Sequence, residues 1–132
     1  MKIAAITDDG KTISQHFGRA PYYLVATVEN GQIVSRELRE KFGHSHFANE
    51  PHAADVPGQP HGMDSGSHDK HMLMAQAITD CEALLCRGMG MGAYESMKVA
   101  GIRPVVTDIV TIDEAVLAYI NGKIVDHVER LH

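Results

Sequence analysis

Tryptophan is absent from this chain of 132 residues, and cysteine is scarce, with Cys81 and Cys86 the only two. Two thiols do not make the disulfide framework of a small secreted domain. As the ends of the short apolar run Ala83, Leu84, Leu85, they stand roughly 16 Å apart on a strand, too far for a mutual disulfide or a shared metal ion. Basic charge is also short: 12 Lys and Arg against 17 Asp and Glu leave a formal net charge of -5. Such a surface has no positive track for a phosphate backbone, which argues against a nucleic-acid partner. No apolar run approaches the ~18 residues of a membrane span, and the opening MKIAAITDDG lacks the hydrophobic region of a signal peptide. The expectation is a cytoplasmic protein with no membrane partner, folded as one domain over 1–132.

What is present has a clear order. Residues 2–7 form an apolar run ended by Asp8, Asp9 and Gly10, which reads as a strand and a turn. Asn30-Gly31 sits between two further strand-like runs at 21–28 and 32–39, the strongest short-range hairpin signal. Residues 69–79 have helix-forming composition, with Met74, Ala75 and Ile78 on one face. A strand from Glu82 to Cys86 runs into Arg87-Gly88-Met89-Gly90-Met91-Gly92, and a helix over 91–100 stops at Gly101. Pro104–Asp108 reads as the last strand, and Thr111 with Glu114 predicts a capping box ahead of Ile112, Ala115, Val116, Tyr119 and Ile120 at helical spacing. The sum is α/β with a mixed five-stranded sheet. Right-handed crossovers then bring the ends of strands one, four and five to one rim, with Cys81 on the opposite rim.

Histidine is the abundant oddity. Six of the nine fall in KFGHSHFANEPHAADVPGQPHGMDSGSHDKH, residues 41–71. The prolines and glycines there suppress periodicity, so about 41–68 reads as a flexible His-rich insertion of a length that compact domains reserve for function or disorder. His44 and His46 form H-x-H, and His68 and His71 are one helical turn apart; either pair suits zinc, nickel, copper or iron through neutral imidazole.

The rim gathers the remaining chemistry. A glycine segment between a strand and a helix frees backbone amides at the positive end of a helix dipole, and Arg87 adds charge. Gly88, Gly90 and Ala93 also satisfy G-x-G-x-x-G/A with Asp108 twenty residues on, but no second mononucleotide-binding half fits in the remaining chain. A tight turn with close packing accounts for these glycines about as well. Cys86 is a candidate thiolate ligand, its pKa lowered by the helix N-terminus, or else a small buried hydrophobe. Ser14-Gln15-His16-Phe17-Gly18-Arg19 adds an imidazole and a guanidinium. Met63, Met72, Met89 and Met91 offer thioether near the rim, although Met is commonly core filler. Asp8 and Asp9 are better explained by a turn than by paired catalytic carboxylates.

SQHFGRAPYY at 14–23, CRGMG at 86–90, GIRP at 101–104 and IDEAV at 112–116 together resemble the dinitrogenase iron-molybdenum cofactor biosynthesis family, which includes NifX- and NafY-type carriers, the C-terminal part of NifB and the orange protein. The resemblance spans nearly the whole chain outside 43–68. It implies a ribonuclease H-like three-layer fold and a carrier role for metal-sulfur clusters. His16 matches the histidine of the family's HFG motif, and Gly88, Met89 and Gly90 match its glycine turn. The long His-rich insertion departs from the pattern of its simple carriers.

The resulting expectation is a non-enzymatic protein that binds or delivers an iron-sulfur or molybdenum-containing cluster. Its contacts would be His16, Arg19, Cys86, Arg87, Gly88, Met89, Gly90 and Gly92, with His16, His44, His46, His68, His71 and Cys86 as metal ligands. Cluster donor or acceptor proteins are the implied partners, and a homodimer that completes the rim stays open. The alternative is a divalent-metal buffer or sensor working through the His-rich insertion alone. An enzyme reading has no base-nucleophile pair or carboxylate cluster behind it.

Overall fold

The computed structural model describes residues 1–41 and 73–131. Five strands form one mixed sheet: β1 (Lys2–Thr7), β2 (Tyr22–Glu29), β3 (Gln32–Glu40), β4 (Ala83–Cys86) and β5 (Arg103–Val106), in the order β3-β2-β1-β4-β5. Helical residues 73–76 (α1) precede β4, α2 (Met91–Val99) joins β4 to β5, and α3 (Ile112–Ile120) follows β5. Strand β2 is antiparallel to β1 and β3 is antiparallel to β2, while β4 is parallel to β1 and β5 to β4.

The hairpin turn is Asn30 and Gly31, with φ of 54° and 76°. Both central positions of a type I′ turn need positive φ, which matches the right-handed twist of the flanking strands. Ala83, Leu84, Leu85 and Cys86 are all fully buried, as a parallel strand covered on both faces must be. Strand faces alternate, and the ion pairs show what covers each. Arg39 holds Asp80, beyond α1, from one face of β3, and Arg36 makes a bidentate pair with Asp113 in α3 from the other. Met74, Ala75 and Ile78 are buried as their spacing predicts. The structure describes the helix only over 73–76, with turns over 77–80.

Beyond shifts of a residue at element ends, one capping bond and one strand end differ from expectation. Thr111 does not cap an α3 backbone amide; its hydroxyl donates to the Glu114 carboxylate, while the chain before it is held by Ile112 N–H on Lys11 O at 3.0 Å and by the Thr12–Thr111 bridge. A side chain-to-side chain bond thus replaces one half of the capping box. The last strand ends at Val106 rather than Asp108: the bond from Thr107 N–H to Cys86 O at 2.7 Å is the final rung of the β4–β5 ladder, because the next amide of the neighbouring strand, Arg87 N–H, turns away to Ser14 O.

Since β1, β4 and β5 are parallel and β3 runs with β1, the loop 8–20, the 87–90 turn, residues 107–111 and Lys41 all leave from one rim. The loop after β1 returns to β2 on one side, and the turn after β4 leads to β5 on the other. Such a divergence is the place where open α/β sheets generally bind their ligands. Cys81 lies at the opposite end, beside Lys2, whose carbonyl accepts from Glu82 N–H at 2.8 Å.

Candidate functional site

The loop after β1 is shaped from its first residue. Buried Thr7 accepts from Gly10 N–H at 2.8 Å and donates to Thr12 O at 2.7 Å. The Asp9 carboxylate accepts from the amides of Lys11 at 2.9 Å and Thr12 at 2.8 Å. These backbone bonds hold the Asp9 carboxyl well below the usual carboxylate range. The pair Asp8-Asp9 is therefore a turn, as its spacing suggested. Ile13 and Ser14 then run beside the sheet end, with Ile13 N–H on Val110 O at 2.8 Å and Ser14 N–H on Ile6 O at 2.9 Å.

From there the chain is locked to the glycine turn. Arg87 N–H donates to Ser14 O at 3.2 Å, and Phe17 N–H donates to Gly88 O at 3.1 Å. Between these two bonds Gln15 and His16 arch over Gly88, so close that a β-carbon on Gly88 would stand 2.3 Å from Gln15 O. A glycine is required there by contact rather than by backbone angle. His16 is held at its own backbone: its N–H donates to Ser14 Oγ at 3.2 Å and its carbonyl accepts from Arg19 and Ala20 N–H at 3.1 Å each. Phe17 is buried below it, while His16 and Arg19 are exposed at the surface. The two motifs, distant in sequence, thus form one feature.

The helix that begins at this turn has an open positive end. Gly90 is the N-cap of α2 and supplies no side-chain cap, and no acidic residue lies in the first turn. Amides left without partners at a helix N-terminus attract anions. Arg87 stands at the same place, and its Nε is buried with no hydrogen-bond partner among the described residues. An orphaned buried guanidinium nitrogen is costly unless an acceptor arrives. Gly92 is exposed in the first turn of α2.

Other candidates lie elsewhere. Cys86 is fully buried, its thiol directed to Val105 O at 3.6 Å, and burial pushes its pKa up to about 12. The lowered thiolate pKa expected from the helix N-terminus is thus reversed: the sulfur is buried, and desolvation of the anion, followed by the nearby Asp126 charge, outweighs the lowering effect of the Gly88 amide. Cys81 is likewise buried, with its thiol also raised to about 12, first by desolvation and then by Asp80. Both cysteines are free thiols. Met89 is a core residue, 1% exposed, and Met91 is 51% exposed. Of the thioethers placed near the rim, Met91 is therefore at the surface and Met89 is not. Asp108 is exposed and faces His127 at 3.7 Å. His44, His46, His68 and His71, with Met63 and Met72, lie outside the described residues. Among the described residues, no three His, Cys, Asp or Glu side chains gather as a metal cage.

One residue of the site escaped the sequence reading. Lys41 is fully buried, and its ammonium donates to Phe17 O and to Ala20 O, the latter at 3.1 Å, while lying 4.3 Å from the centre of the Phe17 ring. Its own N–H donates to Pro21 O at 2.9 Å. A cation inside the 17–20 turn thus holds from below the loop that presents His16 and Arg19. Its only sequence signal was a charged residue at the end of an amphipathic strand.

The dinitrogenase iron-molybdenum cofactor family model matches residues 1–122. The chain belongs to this family. The chain is 25% identical over 124 residues to the uncharacterized protein MJ0580 of Methanocaldococcus jannaschii, covering 94% of this chain and 89% of that one. It is 26% identical over 123 residues to the FeMo cofactor biosynthesis protein NifB of Frankia alni, covering 93% of this chain. It spans only 21% of that longer protein. Its fold is similar to that of the apo form of the orange protein from Desulfovibrio gigas, with a TM-score of 0.60, 20% identity, and coverage of 93% of this chain and 89% of the other. Among the described residues no helix is long and apolar enough to cross a membrane.

Proposed function

We propose that this chain is a non-enzymatic, cytoplasmic binding or carrier protein for a metal-sulfur cluster, an iron-molybdenum-type cofactor precursor or a related molybdenum or iron cluster. The cargo is taken up where the His16 loop meets the glycine turn, and it is exchanged with cluster donor or acceptor proteins. We also read the sheet and its helices as the ribonuclease H-like three-layer fold.

One observation supports the site above the others: Ser14 O and Phe17 N–H are bonded to Arg87 and Gly88, which ties the His16 loop to the uncapped start of α2. Sulfide-rich clusters are anionic and are tuned by hydrogen bonds to sulfur. Free α2 amides and the Arg19 and Arg87 guanidinium groups supply that environment, and the exposed His16 imidazole supplies a ligand for a metal. With its sulfur in the core, Cys86 has no part in this arrangement.

Anaerobic reconstitution with iron and sulfide, with and without molybdate, tests the proposal. The expected product is coloured, with charge-transfer absorption that is lost in His16→Ala. Protein that stays colourless under all these conditions, or a His16→Ala variant that colours as fully as the parent, would overturn it.

A further inference from the structure

The two edges of the sheet are treated differently. At β5, the Asp126 carboxylate accepts from Val106 N–H at 2.8 Å and His127 N–H donates to Val106 O at 2.8 Å, so the chain after α3 covers that edge. Strand β3 has β2 on one side only, and among the described residues nothing pairs with its outer side.

Its backbone is regular where pairing would occur. The register from Tyr22↔Glu40 to Thr27↔Ser35 is unbroken, and the one irregularity lies beyond it at Thr27/Val28. The bond from Lys41 N–H to Pro21 O fixes which groups face β2. By alternation, Arg39, Glu37 and Ser35 also direct their amides inward, and the N–H and C=O groups of Arg36, Leu38 and Glu40 point to the open side. Leu38 and Val34 are more than half exposed.

Charge on an edge strand ordinarily prevents pairing, and here it also selects a partner. A second copy added antiparallel about a two-fold axis normal to the sheet must centre on one residue for paired side chains to share a face. Centred on Arg36, Glu37 or Arg39, the pairing sets like charges against each other at the axis. Centred on Ser35, it pairs no opposite charges. Centred on Leu38, it sets Arg36 opposite Glu40 and Glu37 opposite Arg39, each twice, with Leu38 against Leu38 on the axis. The groups of Arg36, Leu38 and Glu40 then meet as hydrogen-bonded pairs.

We propose that β3 is a self-association edge, and that a second copy of this chain pairs antiparallel with it in the register centred on Leu38. The product is a continuous ten-stranded sheet. The two-fold axis turns the second rim to the opposite end of the sheet, so the dimer leaves each His16 site separate and open instead of sharing one. This inference is independent of what the rim binds.

Sedimentation equilibrium on the full chain tests it, with far-UV circular dichroism to show that each variant is folded. The parent is expected to show a concentration-dependent monomer-dimer equilibrium. Glu40→Lys sets Lys against Arg36, and Arg36→Glu sets Glu against Glu40; each is expected to raise the dissociation constant about tenfold or more, because two attractive pairs become repulsive. Leu38→Lys, with like charges on the axis, is expected to do the same. An equimolar mixture of Glu40→Lys and Arg36→Glu chains restores opposite charges at all four positions and is expected to dimerise like the parent. A parent that is monomeric at every concentration, a dimer indifferent to these substitutions, or a mixture that stays monomeric would each overturn the proposal.

Discussion

Gly88 and Gln15 are in backbone contact: the place a Gly88 β-carbon would occupy is 2.3 Å from the Gln15 carbonyl oxygen. The intruding atom belongs to backbone, so no side-chain rotation relieves the clash. Gly88→Ala is therefore expected to push the 14–17 arch away, stretching the Phe17–Gly88 and Arg87–Ser14 bonds, at a cost of about 1 to 3 kcal/mol. Urea unfolding measures that loss. Reconstituted colour in the folded variant should also fall, since His16 moves away from the α2 N-terminus.

Lys41 is expected to matter more than its charge class implies. Its ammonium is a donor to Phe17 O and Ala20 O inside the turn. Lys41→Met keeps the length of the side chain and removes those bonds, leaving buried carbonyls without a partner. The expected loss is about 2 to 4 kcal/mol, read from urea unfolding. A change under about 0.5 kcal/mol, the ordinary range for surface positions, would show that the ammonium does not hold the turn.

These two contacts mark where sequence reading stops. Local rules made the sheet legible: Asn30-Gly31 set the hairpin, apolar runs between turn residues set the strands, and the spacing from Ile112 to Ile120 set α3. The handedness of crossovers then brought His16 and Gly88 to one rim before any coordinates. What remained hidden depends on distances across the fold. Whether Cys86 faces the rim or the core is decided by the register of β4 between β1 and β5, and spacing along β4 does not encode it. Lys41 reads as a solvated charge until the 17–20 turn is seen closed around it. The contact demanded at Gly88 is likewise invisible in a glycine-rich segment, where each glycine looks alike.

Asp80 links β3 to the segment after α1 and makes stability depend on acid. The Arg39 guanidinium holds its carboxyl well below the usual carboxylate range, against an opposing effect of burial, and Lys2 adds a smaller lowering contribution. A carboxyl depressed in the folded state contributes stability above its unfolded pKa of about 3.9, and that contribution is lost as pH falls through the folded value. The parent is therefore expected to lose stability steadily below about pH 4. Asp80→Asn should be less stable than the parent at neutral pH and fall less steeply below that point. Midpoints of urea unfolding at a series of pH values give both slopes, and parallel slopes would remove Asp80 from the account. Because the pair is partly solvent-exposed, its effect at neutral pH should be modest and should shrink with salt.

Cys86 gives the sharpest separation between a core thiol and a ligand. With its sulfur fully buried and its pKa raised by that burial, the thiol is both shielded from solvent and kept protonated at pH 8. Iodoacetamide is therefore expected to leave Cys86 of the folded protein almost unmodified at pH 8 and to label it readily in denaturant, with peptide mass spectrometry distinguishing it from Cys81. Cys86→Ala removes a small buried side chain, so its expected cost is about 1 kcal/mol. It should leave reconstituted absorption intact, because the sulfur points to Val105 O within the sheet. Rapid labelling of the native thiol, or colour lost in Cys86→Ala but kept in His16→Ala, would show that β4 releases this cysteine to the rim and that the metal contact belongs to sulfur.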